Sequence, residues 1–300
     1  MRFEFIWAHR TLWPIAVSCR VLEVSRDGYY AWIRSRPKRE EGYERDRKIL
    51  KAATEIWEAS YRAYGEPRIG ISLKREGVKV GKSRLGRLLK EAEITGIAGL
   101  RKKKGTTRAR KKDSRPKDLV NRNFNPESIN CVWASDIKQI KTLEGWVYLA
   151  IVIDLCNREI IGWCMRSDIS QTIVSEAIKM ALKQRRIDWA GFELVFHSDR
   201  GSQYTAEATR RLLLRAGIRA SVGKVACCFD NAVSESFFHS LEVECIQKQV
   251  YATREQAKSE VFSWMEGFYN RTRLHSTLGY LSPRQFLAKQ NQLEMLQVAA

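Results

Sequence analysis

The sequence predicts a small helical domain followed by a mixed α/β domain, a sheet with helices on both faces. Apolar residues recur at helical spacing through residues 41–91. Three β-rich runs divided by short polar turns then fill residues 133–165, and beyond residue 170 helical and strand patterns alternate. A chain of 300 residues holds about two domains. Its 44% apolar and 29% charged side chains are a globular balance, neither disordered nor membrane-like.

Charge divides the chain near the same point. Residues 1–125 carry 32 Lys and Arg against 15 Asp and Glu, a net of +17, while residues 126–300 hold the other 21 against 19. A basic front on a nearly neutral back points to a polyanion-binding part attached to something else. Met1 to Cys19 has no apolar core of a signal peptide, and the apolar run Trp146–Cys156 is broken by Asp154 and too short to span a bilayer. Seven cysteines include no C-x-x-C pair, so we expect buried thiols in a reducing cytoplasm. A front-half zinc site is poorly supported, with only His9 and Cys19 as soft ligands.

In chain order, a short helical opening leads to a charged break around Pro37, in RSRPKR. Ile49, Leu50, Ala53, Ile56 and Trp57 then form one helical stripe. Pro67 suits the first turn of the next helix, which ends at Gly77, and Gly81-Lys82-Ser83 opens another with Leu85, Leu88 and Leu89 inward. Two short helices about a glycine turn, the second showing Lys82, Arg84, Arg87 and Lys90, look like a helix-turn-helix. From Arg101 to Lys117 the only apolar side chain is Ala109. Such an arm is a linker, and Lys102, Lys103 and Lys104 suit contact with DNA phosphates. The expected divisions are a helical segment 1–39, a helix-turn-helix-like domain 40–100, a basic linker 101–125 and a core 126–290.

In the core, Trp133–Ile140, Val147–Leu155 and Glu159–Met165 read as successive antiparallel strands. A helix carrying Ile173, Val174, Ala177 and Ile178 follows, then a strand at 192–196, a helix at 206–216 and a strand near 218–222. Long helices at 231–247 and 254–269 complete the pattern. Three acids stand out. Asp136 interrupts the first strand, where a carboxylate needs a partner or a cation. Asp199 follows the buried strand directly, at the carboxyl end where open α/β sheets present ligands. Glu235 stands on a helix among Ala232, Val233, Phe237 and Phe238. Singly, each has a bland explanation: pairing of Asp136 with Lys138 or Lys141, a turn cap at Asp199, a solvated helix acid at Glu235.

Together they are more specific, because 35 residues separate Asp199 from Glu235 and Asp136 precedes both. This spacing resembles the D-D-35-E arrangement of the retroviral-integrase superfamily. The stretches WASDIKQI (133–140), HSDRGSQY (197–204), CCFDNAVSESFFHSLEVE (227–244) and YNRTRLHSTLGYLSPRQF (269–286) are similar to OrfB-type transposases of the insertion sequence three (IS-three) family, as is YGEPRIGISLKREGVKVGKSRLGRLLKE (64–91). The resemblance spans nearly the whole chain. It implies a ribonuclease H-like integrase catalytic core, a mixed five-stranded sheet with flanking helices, behind the helix-turn-helix-like domain. It also implies that Asp136, Asp199 and Glu235 are catalytic and hold two Mg²⁺ or Mn²⁺ ions, for strand cleavage by water and strand transfer by the freed 3′-OH. The partners implied are double-stranded DNA (the element's terminal inverted repeats and target DNA), an upstream-frame OrfA protein or a frameshift fusion with it, and further copies of the chain on DNA. No membrane is expected.

Around the acids, Asp230 looks like the N-cap of the Glu235 helix, with Asn231 sharing the role. Arg200 and Gln203 are candidates for DNA phosphate or for turn contacts. His197 and His239 read equally as site or structural residues, and Asp154 as local support. Tyr269, Asn270, Arg273 and His275 match the family pattern without revealing a task. Two places depart from it: relatives usually carry Lys or Arg seven residues after the helix acid, where this chain has Glu242, and many carry Thr-Tyr where this chain has Lys138-Gln139. Either a neighbouring basic residue substitutes, or the copy is weakened. The competing function is a decayed copy that only binds DNA and inhibits transposition.

Overall fold

The computed structural model describes residues 1–97, 119–120, 125–185, 193–199, 201–222 and 232–298. The chain divides into two units, Met1–Ala59 with Gly65–Thr95, and Ser60–Tyr64 with Gly96–Ala300. The arm from Arg101 to Lys117, with Lys102, Lys103 and Lys104, lies outside the described residues, as do Arg200, Asp230 and Asn231.

The first unit is helical: α1 (Arg2–Ala8), α2 (Ile15–Val21), α3 (Arg26–Ala59), α4 (Glu66–Arg75) and α5 (Lys82–Glu91). The expected break around Pro37 is absent, because α3 runs through it, so the boundary expected at 39–40 falls inside a helix. A proline removes one helical hydrogen bond and crowds the preceding turn. Here the Arg39 guanidinium and the Ser35 hydroxyl both donate to the Trp32 carbonyl, each at 3.0 Å, and Arg39 also stacks 4.8 Å over the Trp32 ring. The α4–α5 turn follows the sequence reading. Gly77 takes φ +81°, Val78 N–H donates to the Leu73 carbonyl (2.9 Å) and Gly77 N–H to Lys74 (3.2 Å). This Schellman closure needs a residue tolerant of the left-handed region. Leu85, Leu88 and Leu89 of α5 are buried with Ile69 and Leu73 of α4.

The second unit is built on one sheet of β1 (Val132–Thr142), β2 (Gly145–Asp154), β3 (Ile160–Arg166), β4 (Val195–Ser198) and β5 (Arg219–Val222). The order is β3-β2-β1-β4-β5. β1, β2 and β3 form an antiparallel meander, and β4 lies parallel to both β1 and β5. Between them run α6 (Gln171–Arg185), the short α7 (Ser202–Thr205) and α8 (Glu207–Arg215), and after them α9 (Ala232–Glu244), α10 (Arg254–Phe262) and α11 (Pro283–Val298).

Alternation along the strands sets the two faces. Ala150 and Val152 pack under α6 with Ile173, Val174, Ala177 and Ile178. Contact there is so close that a Cβ on Gly162 would come within 2.1 Å of the Ala177 carbonyl. Trp163 turns to the other face, meeting Phe262 of α10 with ring centroids 5.6 Å apart. β4 runs later than the apolar pattern suggested, ending at Ser198 instead of residue 196. Two buried polar residues extend it, His197 and Ser198. His197 Nδ1 meets the Ser221 hydroxyl on β5 at 2.9 Å, which hydropathy does not register. Among the described residues no helix is long and apolar enough to cross a membrane, and Cys19, Cys131, Cys156, Cys164 and Cys245 are free thiols.

Candidate active site

Strand register brings the first two acids together. Val132 pairs with Val195 and Ser135 with Ser198 in the parallel β1–β4 ladder, so the residues that follow, Asp136 and Asp199, leave it as neighbours. Asp199 is exposed. Its Oδ1 accepts the Gly201 N–H at 2.8 Å, which fixes the carboxylate against the turn into α7. Asp136 is half-buried on the face away from α6, opposite Ile151. Burial pushes its carboxyl up to about 7; the Ile137 N–H that it accepts pulls it down, while the charges of Asp199 and Glu235 raise it further and Lys138 lowers it. The third acid therefore acts electrostatically on the first across 99 residues of chain.

Glu235 is carried by α9, whose Ser234, Phe237, Phe238 and Leu241 are buried. The seat of that helix is a π-helical turn, Ser263–Tyr269, that continues α10. Tyr269 meets the edge of Phe237 at 4.9 Å and 90°, and Trp264 lies 5.8 Å from it. At the far end of α9 the buried Arg273 donates to both Glu244 oxygens, at 2.6 and 2.9 Å, and to Ser240 at 3.1 Å. Asn270 is fully buried. Its amide receives the Ile160 N–H and donates to the Ile160 carbonyl, both at 3.0 Å, as a further strand would. The motif 269–275, silent in sequence, thus anchors α9 to the sheet. Its partners are 29 and 110 residues away, so no local signal announces them.

The other candidates separate. Asp154 is sealed inside, accepting the Asn130 N–H (2.8 Å) and Cys156 N–H (2.9 Å) and facing Arg185 at 3.6 Å, which makes it the local support that the sequence suggested. His197 is structural by the contact described above. Gln203 donates to the Ile169 carbonyl at 3.4 Å. In the first unit Lys82 and Arg87 are exposed. Arg84 is less free: it donates to Asp46 of α3 at 2.6 Å, with Arg87 on the other oxygen at 3.3 Å. These contacts hold the Asp46 carboxyl below its ordinary value.

Three carboxylates are hard oxygen donors of the kind that Mg²⁺ and Mn²⁺ take, and their mutual push on Asp136 is what a cation relieves. Among the described residues no three His, Cys, Asp or Glu side chains are gathered tightly enough to close around an ion as they stand. The donor chemistry fits.

Comparison with known proteins decides the family. Models described as Integrase core domain match residues 126–228 and 235–291, and an HTH-like domain model matches 44–104. A transposase for insertion sequence IS3fB from Escherichia coli (strain K12) is 34% identical over 291 residues, covering 95% of this chain and 98% of its own length. The chain belongs to the IS3 family of insertion-sequence transposases. A 31 kDa protein of insertion element IS600 from Shigella sonnei is 36% identical, covering 92% of this chain and 99% of its own length. Among solved structures, the HTLV-2 integrase catalytic core domain in complex with magnesium matches at 12% identity, covering 53% of this chain and 96% of its own, with a TM-score of 0.36. The Mos1 mariner transposase catalytic domain matches at 16% identity, covering 46% and 71%, with a TM-score of 0.37. The transposase is a polynucleotidyl transferase with an integrase core domain and an HTH-like domain, and the non-catalytic alternative is not favoured.

Proposed function

We propose that Asp136, Asp199 and Glu235 are the catalytic set of this transposase, and that they hold two divalent ions, Mg²⁺ or Mn²⁺, for cleavage and strand transfer at insertion-sequence ends. The single observation that carries this reading is the parallel register that makes Asp136 and Asp199 neighbours at the end of β4. Bound ions of this kind supply Lewis acidity to the attacking and leaving oxygens of an in-line displacement at phosphorus. The chain does the rest. β1 and β4 hold two carboxylates at a fixed separation; Gly201 orients one of them. α9, clamped by Arg273 and the 263–269 turn, presents the third.

Lys82 and Arg87 of the HTH-like domain, the arm with Lys102, Lys103 and Lys104, and Arg200 and Gln203 near Asp199 are proposed contacts to DNA phosphate. The proposed substrate is double-stranded DNA, both terminal inverted repeats and target. The proposed partners are the upstream-frame OrfA protein, or a fusion with it, and further copies of the chain on DNA, in a bacterial cytoplasm.

The test is Mg²⁺-dependent cleavage of a duplex carrying the element's own terminal repeat, with OrfA present. Asp136→Asn, Asp199→Asn and Glu235→Gln are each expected to lower the rate by about 10²-fold or more, the scale of losing a transition-state electrostatic contributor. Wild type cutting no faster than Asp199→Asn would overturn the assignment.

A further inference from the structure

Beside the three acids lies an ion pair that the catalytic reading does not use. Lys138 Nζ is 2.8 Å from the Glu242 carboxylate, and the two side chains remain 32% and 24% exposed. Lys138 stands two residues after Asp136, on the same face of β1, roughly 6–7 Å along the strand. Glu242 stands seven residues after Glu235, on the same face of α9, roughly 10 Å along the helix. The pair therefore bridges the strand and the helix that carry two of the acids, on the side from which both point. It also lines a groove of about 730 Å³ that follows β1 to Thr142 and Tyr251.

A phosphodiester approaching those acids meets negative charge from Asp136, Asp199 and Glu235, and Glu242 would add to it. Lys138 cancels that charge and puts a cation in the groove. Partly exposed ion pairs are weak and exchange readily, and a lysine is a point charge on a flexible stem. We propose that Lys138 contacts the DNA phosphate beside the scissile bond, and that Glu242 is the positioning residue that holds its ammonium in the groove until DNA arrives. The inference rests on the catalytic reading of the three acids.

The experiment uses the full chain on its terminal-repeat duplex, with two readouts: cleavage rate with Mg²⁺, and the salt dependence of binding without divalent metal. Lys138→Ala is expected to lower cleavage about 10²-fold and to reduce the slope of log K against log salt by about one. Lys138→Arg keeps the slope. Glu242→Gln raises KM for the duplex more than it changes kcat. Lys138→Glu is inactive, and adding Glu242→Lys restores cleavage by returning a cation to the groove. Thermal melts confirm that each variant is folded. An unchanged slope and rate in Lys138→Ala overturn the proposal. So does a Lys138→Ala loss of cleavage with unchanged slope and no rescue by the swap, which is the signature of a mere brace between β1 and α9. If wild type cuts no better than Asp199→Asn, the catalytic reading fails instead, and the metal-free slopes still judge Lys138.

Discussion

Asp136 shares its face of β1 with Ala134 and Ile140, has Ile151 across the ladder, and has a carboxyl pushed up to about 7. Its ordinary value is 3.8, so between these limits the folded chain binds a proton that the unfolded chain has released. Stability contributed by the protonated group is present at acid pH and is lost as pH rises through about 7. Asp136→Asn removes that dependence. Without divalent cations, its thermal midpoint is expected to exceed that of wild type at about pH 8, and the difference to vanish near pH 4; a midpoint below wild type at the higher pH would contradict it. Sequence singled out this residue because a carboxylate inside a strand demands compensation. Strand pattern alone did not separate it from Asp154, another acid in the meander, which the resemblance set apart as local support. The difference is tertiary: Asp154 is met by two backbone N–H groups and Arg185, whereas Asp136 faces two further acids.

At the scale of elements, α9 matters most, because its setting places Glu235. Arg273 and Glu244 form a buried pair in which each is the other's compensation. Arg273→Ala is expected to destabilise by about 3–5 kcal/mol, the range for leaving a buried charge unpaired, measured by urea unfolding. Packing of α6 on β3 offers a second check. Gly162→Ala would force a methyl into the backbone of Ala177 and Ala181, with an expected loss of about 1–3 kcal/mol or more. Most elements were legible from period alone: the α4–α5 turn, the three-strand meander and α6 all follow their apolar spacing. Two were misread. α3 passes through Pro37, where the proline and the charged run RSRPKR suggested a break. β4 extends through His197 and Ser198, which pair with β1 and β5 while the Ser221 hydroxyl meets the imidazole Nδ1.

For the whole molecule, the +19 charge and its concentration before residue 126 are expected to make DNA binding steeply salt-dependent. Replacing Lys102, Lys103 and Lys104 together by Ala is expected to lower the log–log salt slope by up to about three, one for each phosphate no longer neutralised, uniformly across DNA sequences. A weakening confined to one DNA sequence would assign the arm to base readout instead. An alignment that covers 95% of the chain at 34% identity agrees with motifs that run in order from residue 64 to 286. Composition and helical and strand period pointed to the two kinds of domain, and motifs in order along the chain carried the resemblance that implied the chemistry, because these are local or ordered along the chain. Only the tertiary structure decided which acids are neighbours, what holds α9, and that Lys138 answers Glu242. Those facts depend on strand register and on side chains that meet across 29 to 110 residues of chain, and the sequence does not print them.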